Sequence, residues 1–533
     1  MERHTENQME GMESSTSEVD SIEVGNTSFE SSEEDYSEDE TFMSRNGEIK
    51  WSIKAPDRQR GRLSARYVLK RTPGPTRLCV SQASDILSTF KAFLPKSIEG
   101  TIVTMTNVEG RKRFSSNWTE FTPKEFDAFI GILILGGCFT SRGENLLNLW
   151  DLKTGRAIFS ATMSRLRFSQ LSSAIRFHNK GSRSERRDTD ELAGMREVWD
   201  TWSANLPLMY NLGHDATIDE LPVPFTGRCS FKQKTLHPSA RCGLKLWVLC
   251  DAKTSYCWKV DVHTRKTPEE AKENSLTKRV VLDLSEGLRG QNITANNFVT
   301  SFDLVQELLK RHITMVGAVR TDRPELPFAL VRTKGRRVYS SKFAFAQNTT
   351  LVSYTTKKKK NVVLMSTFHK SADVVDRLDR KPQIILDYNE TKGGVDTMNQ
   401  LVSLYSCKRR TSRWVTALFY KILDISAHNA QVVWKEINPS WKAEKKTRRR
   451  QFLQELGEAL ISPTIKELTR LRRGFHAAAI VRAHPPPPVE QSKRKRCGIC
   501  PYTTDRKSGV VCCECGVTVC KAHYDVICKK CRK

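Results

Sequence analysis

The sequence predicts an α/β core that holds an inserted strand-rich subdomain, with helical regions on both sides and a metal-stapled module at the C-terminal end. Three observations predict it. Strand runs rich in aromatic and β-branched residues alternate with helical periodicity from Thr217 to the Gly393–Gly394 pair, and alternating elements of this kind build α/β layers. Helical periodicity dominates from Ser84 to about residue 212 and again after Arg413. Eight of the fifteen cysteines lie at or beyond Cys497. A chain of 533 residues, 38% hydrophobic, is long enough for several domains, each with its own core.

The formal net charge is +27, yet the first forty residues hold fourteen acidic side chains against one basic, Arg3, leaving about +40 on the rest. Such a field attracts polyanions through counterion release, so nucleic acid is the expected partner and an anionic membrane surface the weaker alternative. No apolar run reaches 18 residues; the most hydrophobic stretch, Phe126 to Phe139, is one core helix long and contains Asp127. The start, MERHTENQMEGMESS, lacks the plan of a secretory signal. The cysteines are therefore expected as thiols or metal ligands in a reducing compartment.

Residues 1–80 form an acidic disordered tail and linker; residues 1 to about 45, rich in Ser, Glu and Asp, bury too little apolar surface to offset chain entropy. Residues 81–213 form a first helical region, carried by ILSTFKAFL and FTPKEFDAFIGILILGG, with Thr122 and Glu125 spaced as a capping box. Residues 214–322 form the first part of the core: ATIDEL, then GLKLWVLCD and YCWKVDVHT as a hairpin around AKTS, NITANNF passing into the amphipathic SFDLVQELLKRH, and TMVGAVR. Residues 323–382 read as an insertion of short strands, RRVYSS, LVSYTT and NVVLMSTF, with Lys357 to Lys360 between two of them. The last part of the core, 383–405, starts with IILDY as a strand and runs through NETKGGV into a helix. A second basic helical region covers 406–484, a Pro and basic linker with Pro485 to Pro488 covers 485–496, and the cysteine-rich module covers 497–533.

The module spaces its ligands in pairs: Cys497 and Cys500, Cys512 and Cys515, Cys520 and His523, Cys528 and Cys531. Eight ligands saturate two structural zinc ions, and a segment this short needs that metal to fold. Two ions in one short module interleave their ligands, with Cys497, Cys500, Cys520 and His523 on one and Cys512, Cys515, Cys528 and Cys531 on the other. Cys513 is a spare thiol that could exchange with Cys515. RING-type ubiquitin ligases and chromatin-reading fingers share this cross-braced plan, although the four-residue gap from His523 to Cys528 is short for the latter.

TIDELPVPFTGRC from Thr217, GLKLWVLCD, NITANNFVTS from Asn292, DYNETKGGVDTMNQ from Asp387 and KRRTSRWVTALFYKILDI from Lys408 resemble, in this order, successive blocks of the piggyBac transposases. The zinc module resembles theirs ligand for ligand. The resemblance covers roughly residues 85–533 and is greatest to vertebrate piggyBac-derived proteins. It implies an RNase H-like core in which carboxylates hold two magnesium ions to cut and join DNA at TTAA targets, a homodimer, and a zinc module that recognises transposon ends. In-line displacement at phosphorus needs two such ions on hard carboxylate ligands. Asp219 matches the first family aspartate, and Asp396 the third. The second position is Asn296, and the acidic position three residues after Asp396 is Asn399. Neutral amides weaken a magnesium site, which predicts impaired or lost strand cleavage. Asp303, two turns beyond Asn296, is too far along its helix to substitute.

Phosphate contacts are expected from Lys408, Arg409, Arg410 and Arg413 before Trp414, from Lys445, Lys446, Arg448, Arg449 and Arg450, and from Lys357 to Lys360; each run alone could equally be a solvated face. Lys493 to Arg496 reads as a nuclear localisation signal or another phosphate patch, and either role places the chain in the nucleus. Three readings follow: a DNA-binding transposase derivative with a damaged centre, a co-opted nuclear chromatin or protein-binding factor, and an active transposase with a rearranged site.

Overall fold

The computed structural model describes residues 41–55, 69, 71–151, 153–178, 190–234, 242–264, 273–470, 495–501, 503–504, 506–508, 510 and 517–523. The acidic segment before Thr41, the Pro485 to Pro488 spacer, Lys493, Cys512, Cys513, Cys515, Cys528 and Cys531 lie outside them.

In chain order the elements are β1 (Thr41–Met43), β2 (Lys50–Ser52), β3 (Gly74–Pro75), α1 (Arg77–Gln82), α2 (Ile86–Lys91), α3 (Lys96–Phe114), α4 (Pro123–Cys138), α5 (Leu146–Leu149), α6 (Ala157–Thr162), α7 (Arg165–Ala174), α8 (Arg196–Met209), β4 (Tyr210–Asn211), β5 (Asp215–Pro224), β6 (Gln233–Lys234), β7 (Cys242–Asp251), β8 (Cys257–Val262) and α9 (Glu273–Leu284). There follow β9 (Asn292–Ala295), α10 (Phe302–Lys310), β10 (Thr314–Ala318), α11 (Phe328–Val331), β11 (Ser341–Ala346), β12 (Thr349–Lys357), β13 (Lys360–Ser366), α12 (Gln383–Thr391), α13 (Gly394–Leu404), α14 (Trp414–Ile437), α15 (Arg448–Arg470), β14 (Lys495–Arg496) and β15 (Lys507–Ser508).

The described chain divides into two compact units. The first (1–123, 133–143 and 174–457) contains one mixed sheet of 11 strands ordered β1-β2-β11-β12-β13-β10-β9-β5-β7-β6, with β8 paired to β7. The centre is parallel, β5 to β9 to β10, and the flanks are antiparallel. β7 is buried on nearly every position, as a central strand covered on both faces must be. α14 is buried along most of its length, polar Asp424, His428 and Asn429 included, which marks a helix running through the core rather than over it. In the second unit (124–132, 144–173 and 458–533), Trp150 packs on Phe159 and Phe168, and Glu125 receives two 2.6 Å bonds from Arg167. No helix among the described residues is long and apolar enough to cross a membrane.

Three expectations change. Part of the supposed disordered tail is strand: β1 and β2 extend the sheet beside β11, because Trp51 is fully buried against Phe302 and bonds the Glu325 carbonyl. IILDY is helix rather than strand. Ile384, Ile385 and Tyr388 fall on one helical face and pack on Val316, Val352, Val362 and Leu364 of the sheet, after Pro382 as the first turn's boundary. The segment RRVYSS is mostly turn, and β11, β12 and β13 continue the core sheet through β13–β10 pairing instead of building a separate one. The lysine run is the tip of the β12–β13 hairpin, where Lys357 pairs with Lys360.

Candidate active site

Parallel pairing of β5 with β9 sets Ile218 opposite Ala295, so Asp219, midway along β5, lies beside Asn296, which follows the C-terminal end of β9. Ligand sites of open α/β sheets collect at this end. Asn296 Nδ2 donates to Asp219 Oδ1 at 2.7 Å, while Asn296 Oδ1 accepts from Phe298 N at 3.1 Å. Glu220 N also donates to Asp219 at 2.7 Å. Burial, with the charges of Asp396 and Glu220 adding, pushes the Asp219 carboxyl up to about 7 against these hydrogen bonds.

Asp396 stands in the first turn of α13, exposed at the rim. Partial desolvation of its carboxyl by the packed neighbours raises it, and Lys392 partly offsets the rise. The helix is placed by close packing: a Cβ on Gly394 would come within 2.6 Å of Thr217 Oγ1 and 3.1 Å of the Asp251 carbonyl. Glycine is needed there for helix-to-sheet approach; Gly393 has ordinary helical geometry, and a Cβ there would make an ordinary contact with Thr397 Oγ1 at 3.8 Å. Thr217 Oγ1 donates to the Thr391 carbonyl, and the Thr294 and Thr391 hydroxyls bond at 2.6 Å, tying the end of α12 to β5 and β9.

Asn399 lies one turn beyond Asp396, half-buried, and accepts from Ser403 Oγ at 3.4 Å. Asp303 is engaged elsewhere, by Lys278 at 2.6 Å. Glu220 follows Asp219 but points to the opposite face of the strand, where it pairs with Lys245. The site therefore offers the Asp219 and Asp396 carboxylates and the Asn296 amide, and this set does not fit two magnesium ions. Sequence reasoning missed Lys392 and Tyr388. The Lys392 ammonium lies 5.9 Å from the Tyr388 ring, and the Asp219 and Asp396 charges add to the burial that raises the Tyr388 hydroxyl. The helical spacing of Tyr388, Lys392 and Asp396 would have found them.

In the second unit, Cys497, Cys500, Cys520 and His523 bring their ligand atoms within 4.8 Å of one another. Cys500 and Cys520 sulfurs lie 3.7 Å apart, and His523 Nδ1 is 3.5, 3.4 and 3.4 Å from Cys497, Cys500 and Cys520. A tetrahedral ion with bonds near 2.3 Å to sulfur and 2.0 Å to nitrogen requires edges of about 3.8 and 3.5 Å. The donor set thus fits a tetrahedral thiophilic ion. It is the first of the two expected sets, and the other lies outside the described residues.

The expected phosphate contacts separate by burial. Lys408, Arg410, Lys445 and Lys446 are exposed, as are Lys357, Lys358 and Lys359. Arg449 is 7% exposed and bonds the Leu401 carbonyl, Gln431 and His428, so it serves the core and not a phosphate. Arg413 donates to the Ile175 carbonyl, and burial lowers its guanidinium to about 10. Arg409 donates to the Ser141 carbonyl, Arg448 to Asn438 and Pro439, and Trp414 packs edge-on against Phe231 at 5.2 Å. Arg450 is half-buried.

Residues 87–431 match the transposase IS4 family model. The chain is 22% identical over 329 residues to human PiggyBac transposable element-derived protein 3, covering 58% of this chain and 54% of that protein. Over 352 residues it is 22% identical to human PiggyBac transposable element-derived protein 2, covering 62% and 59%. These matches span between half and three-fifths of the relatives' own length. The fold superposes on a piggyBac transposase solved by cryo-electron microscopy as a synaptic complex with hairpin DNA, with a TM-score of 0.73 and 30% identity, covering 86% of this chain and 100% of that one. A family match over well more than half of the chain, together with this fold, makes the chain a member of the piggyBac family of transposases.

Proposed function

We propose that this chain is a transposase-derived DNA-binding protein that keeps the frame of a TTAA-specific transposase while its strand-cleavage centre is silenced. The observation that carries the reading is the Asn296 amide bonded to Asp219 at 2.7 Å. In an intact centre both positions would present oxygen ligands to divalent ions, which would activate the attacking oxygen and stabilise the leaving one. Here the amide N–H occupies a carboxylate lone pair that an ion would need, and Asn399 supplies no charge. Burial holds the Asp219 carboxyl up to about 7 despite that bond, so it is only part-ionised near neutral pH, with Asp396 alone at the rim.

Binding survives on separate parts. Exposed Lys408, Arg410, Lys445 and Lys446 supply phosphate contacts, and zinc on the Cys497, Cys500, Cys520 and His523 set stiffens a module suited to reading transposon ends. The reading includes a nuclear homodimer acting on double-stranded DNA. Excision of a reporter flanked by the gene's own terminal DNA tests it, comparing the chain with the Asn296→Asp/Asn399→Asp variant. Excision by the variant alone supports the reading. Excision by the unmodified chain makes it an active transposase, and loss of specific, zinc-dependent DNA retention makes it a protein-only adapter.

A further inference from the structure

A second site stands at the other end of the central strands. β9 ends at Ala295, beside Asn296, and begins at Asn292, beside Gln291; five residues of extended chain separate Gln291 from Asn296 by roughly 16 Å. Around Gln291 lies a cavity of about 260 Å³, walled by the segment at Arg71, the α8–β4 junction and the loop 287–291. Its volume suits one small organic molecule rather than a polymer groove.

The lining is divided by chemistry. Tyr210, Leu212, Trp258 and Leu288 are each less than a tenth exposed and give an apolar floor. Trp258 is held by its Nε1 bond to the Tyr210 carbonyl at 3.1 Å, and Tyr210 by stacking on Tyr256 at 4.3 Å. Two arginines, Arg71 and Arg289, line the rim; both are exposed, and neither guanidinium has an acidic partner among the described residues. Lys259, next in sequence to Trp258, is spent on the Asp283 and Glu286 carbonyls.

Two amides complete the lining. Asn211 spends Nδ2 on the Thr72 carbonyl, leaving Oδ1 as an acceptor, and Gln291 spends Oε1 on Arg289 N, leaving Nε2 as a donor. An acceptor and a donor on one lining match the edge of a nucleobase, an apolar floor suits its face, and two guanidinium groups at the rim suit a phosphate.

We propose that this cavity binds a single phosphate-bearing nucleotide, with its phosphate between Arg71 and Arg289 and its base over Trp258, edge toward Asn211 and Gln291. The site is separate from the strand-cleavage centre and does not depend on whether that centre works. Titration calorimetry of the full chain at physiological salt, with adenosine monophosphate, adenosine and inorganic phosphate as probes, tests it. The monophosphate should bind one to one, at least tenfold more tightly than either fragment. Arg71→Ala and Arg289→Ala should each weaken it about fivefold or more, leaving adenosine binding and the melting temperature unchanged, since both side chains are exposed. Monophosphate binding no tighter than inorganic phosphate, or binding that survives the double substitution, overturns the proposal. So does loss of duplex DNA retention in the double variant without any monophosphate binding, which would assign the arginines to polymer phosphates.

Discussion

The Asn296 side-chain amide donates to the Asp219 carboxylate at 2.7 Å between two neighbouring parallel strands, so the residue after β9 serves as a hydrogen-bond partner of that carboxylate. Asp219 is protonated more readily in the fold than in the unfolded chain, so its stabilising contribution is full at acid pH and is lost as pH rises through about 7. Asn296→Asp replaces the hydrogen bond with a second carboxylate. Chemical denaturation at pH 8 without divalent ions should show a loss of about 1–3 kcal/mol. Manganese should recover part of it in the variant and leave the parent unchanged.

Gly394 is set by contact with Thr217, whose Oγ1 would lie 2.6 Å from a Cβ. Gly394→Ala should cost about 1–3 kcal/mol by overpacking. Thr217→Ala removes the obstructing oxygen but also its bond to the Thr391 carbonyl. In a double-mutant cycle the two substitutions together should cost less than the sum of the singles; strict additivity would show that the contact does not govern the site.

His428 is buried between the Ser255 carbonyl and Arg449, and burial followed by the Arg449 charge lowers its imidazole from 6.5 to about 3. The unfolded chain takes up a proton below 6.5 that the fold refuses, so stability falls as pH drops from 6.5 toward 3, by about 1.4 kcal/mol per unit. His428→Gln should flatten that acid limb in denaturation curves measured from pH 7 to 4, whatever it does to stability at neutral pH.

Arg449 and its neighbours in sequence should separate cleanly. Arg449→Ala leaves His428, Gln431 and the Leu401 carbonyl short of a donor and should destabilise by about 2–4 kcal/mol. Lys445→Ala/Lys446→Ala, at exposed positions, should keep the melting temperature while lowering the slope of log affinity for DNA against log salt by about 2.

Cys520→Ser or His523→Ala removes one donor from a set whose spacings fit a tetrahedral ion. Elemental analysis should find about one zinc fewer per chain. An unchanged zinc content would remove this set from the metal-binding account.

Much of this chain was legible without coordinates because the information is local. Strand alternation and turn residues placed β5, β7, β8 and β10, and short Cys and His spacings paired Cys497 and Cys500 with Cys520 and His523. Resemblance to the family's motif blocks singled out Asp219, Asn296 and Asp396, and in the fold Asn296 bonds Asp219 while the Asp396 charge acts on it. Tertiary structure alone decided matters that depend on what packs against a segment. IILDY carries enough apolar residues for either a strand or a helix, and the sheet face beneath Ile384, Ile385 and Tyr388 selects the helix. Trp51 draws part of an acidic tail into the sheet because its indole finds a pocket at Phe302 and Glu325, residues about 250 positions away. Arg449 and Arg450 are indistinguishable in a basic run, yet helix rotation turns Arg449 into the core and leaves Arg450 half-buried. Charge is written in the sequence, whereas burial, which sets what a charge can do, follows only from the neighbours that the fold supplies.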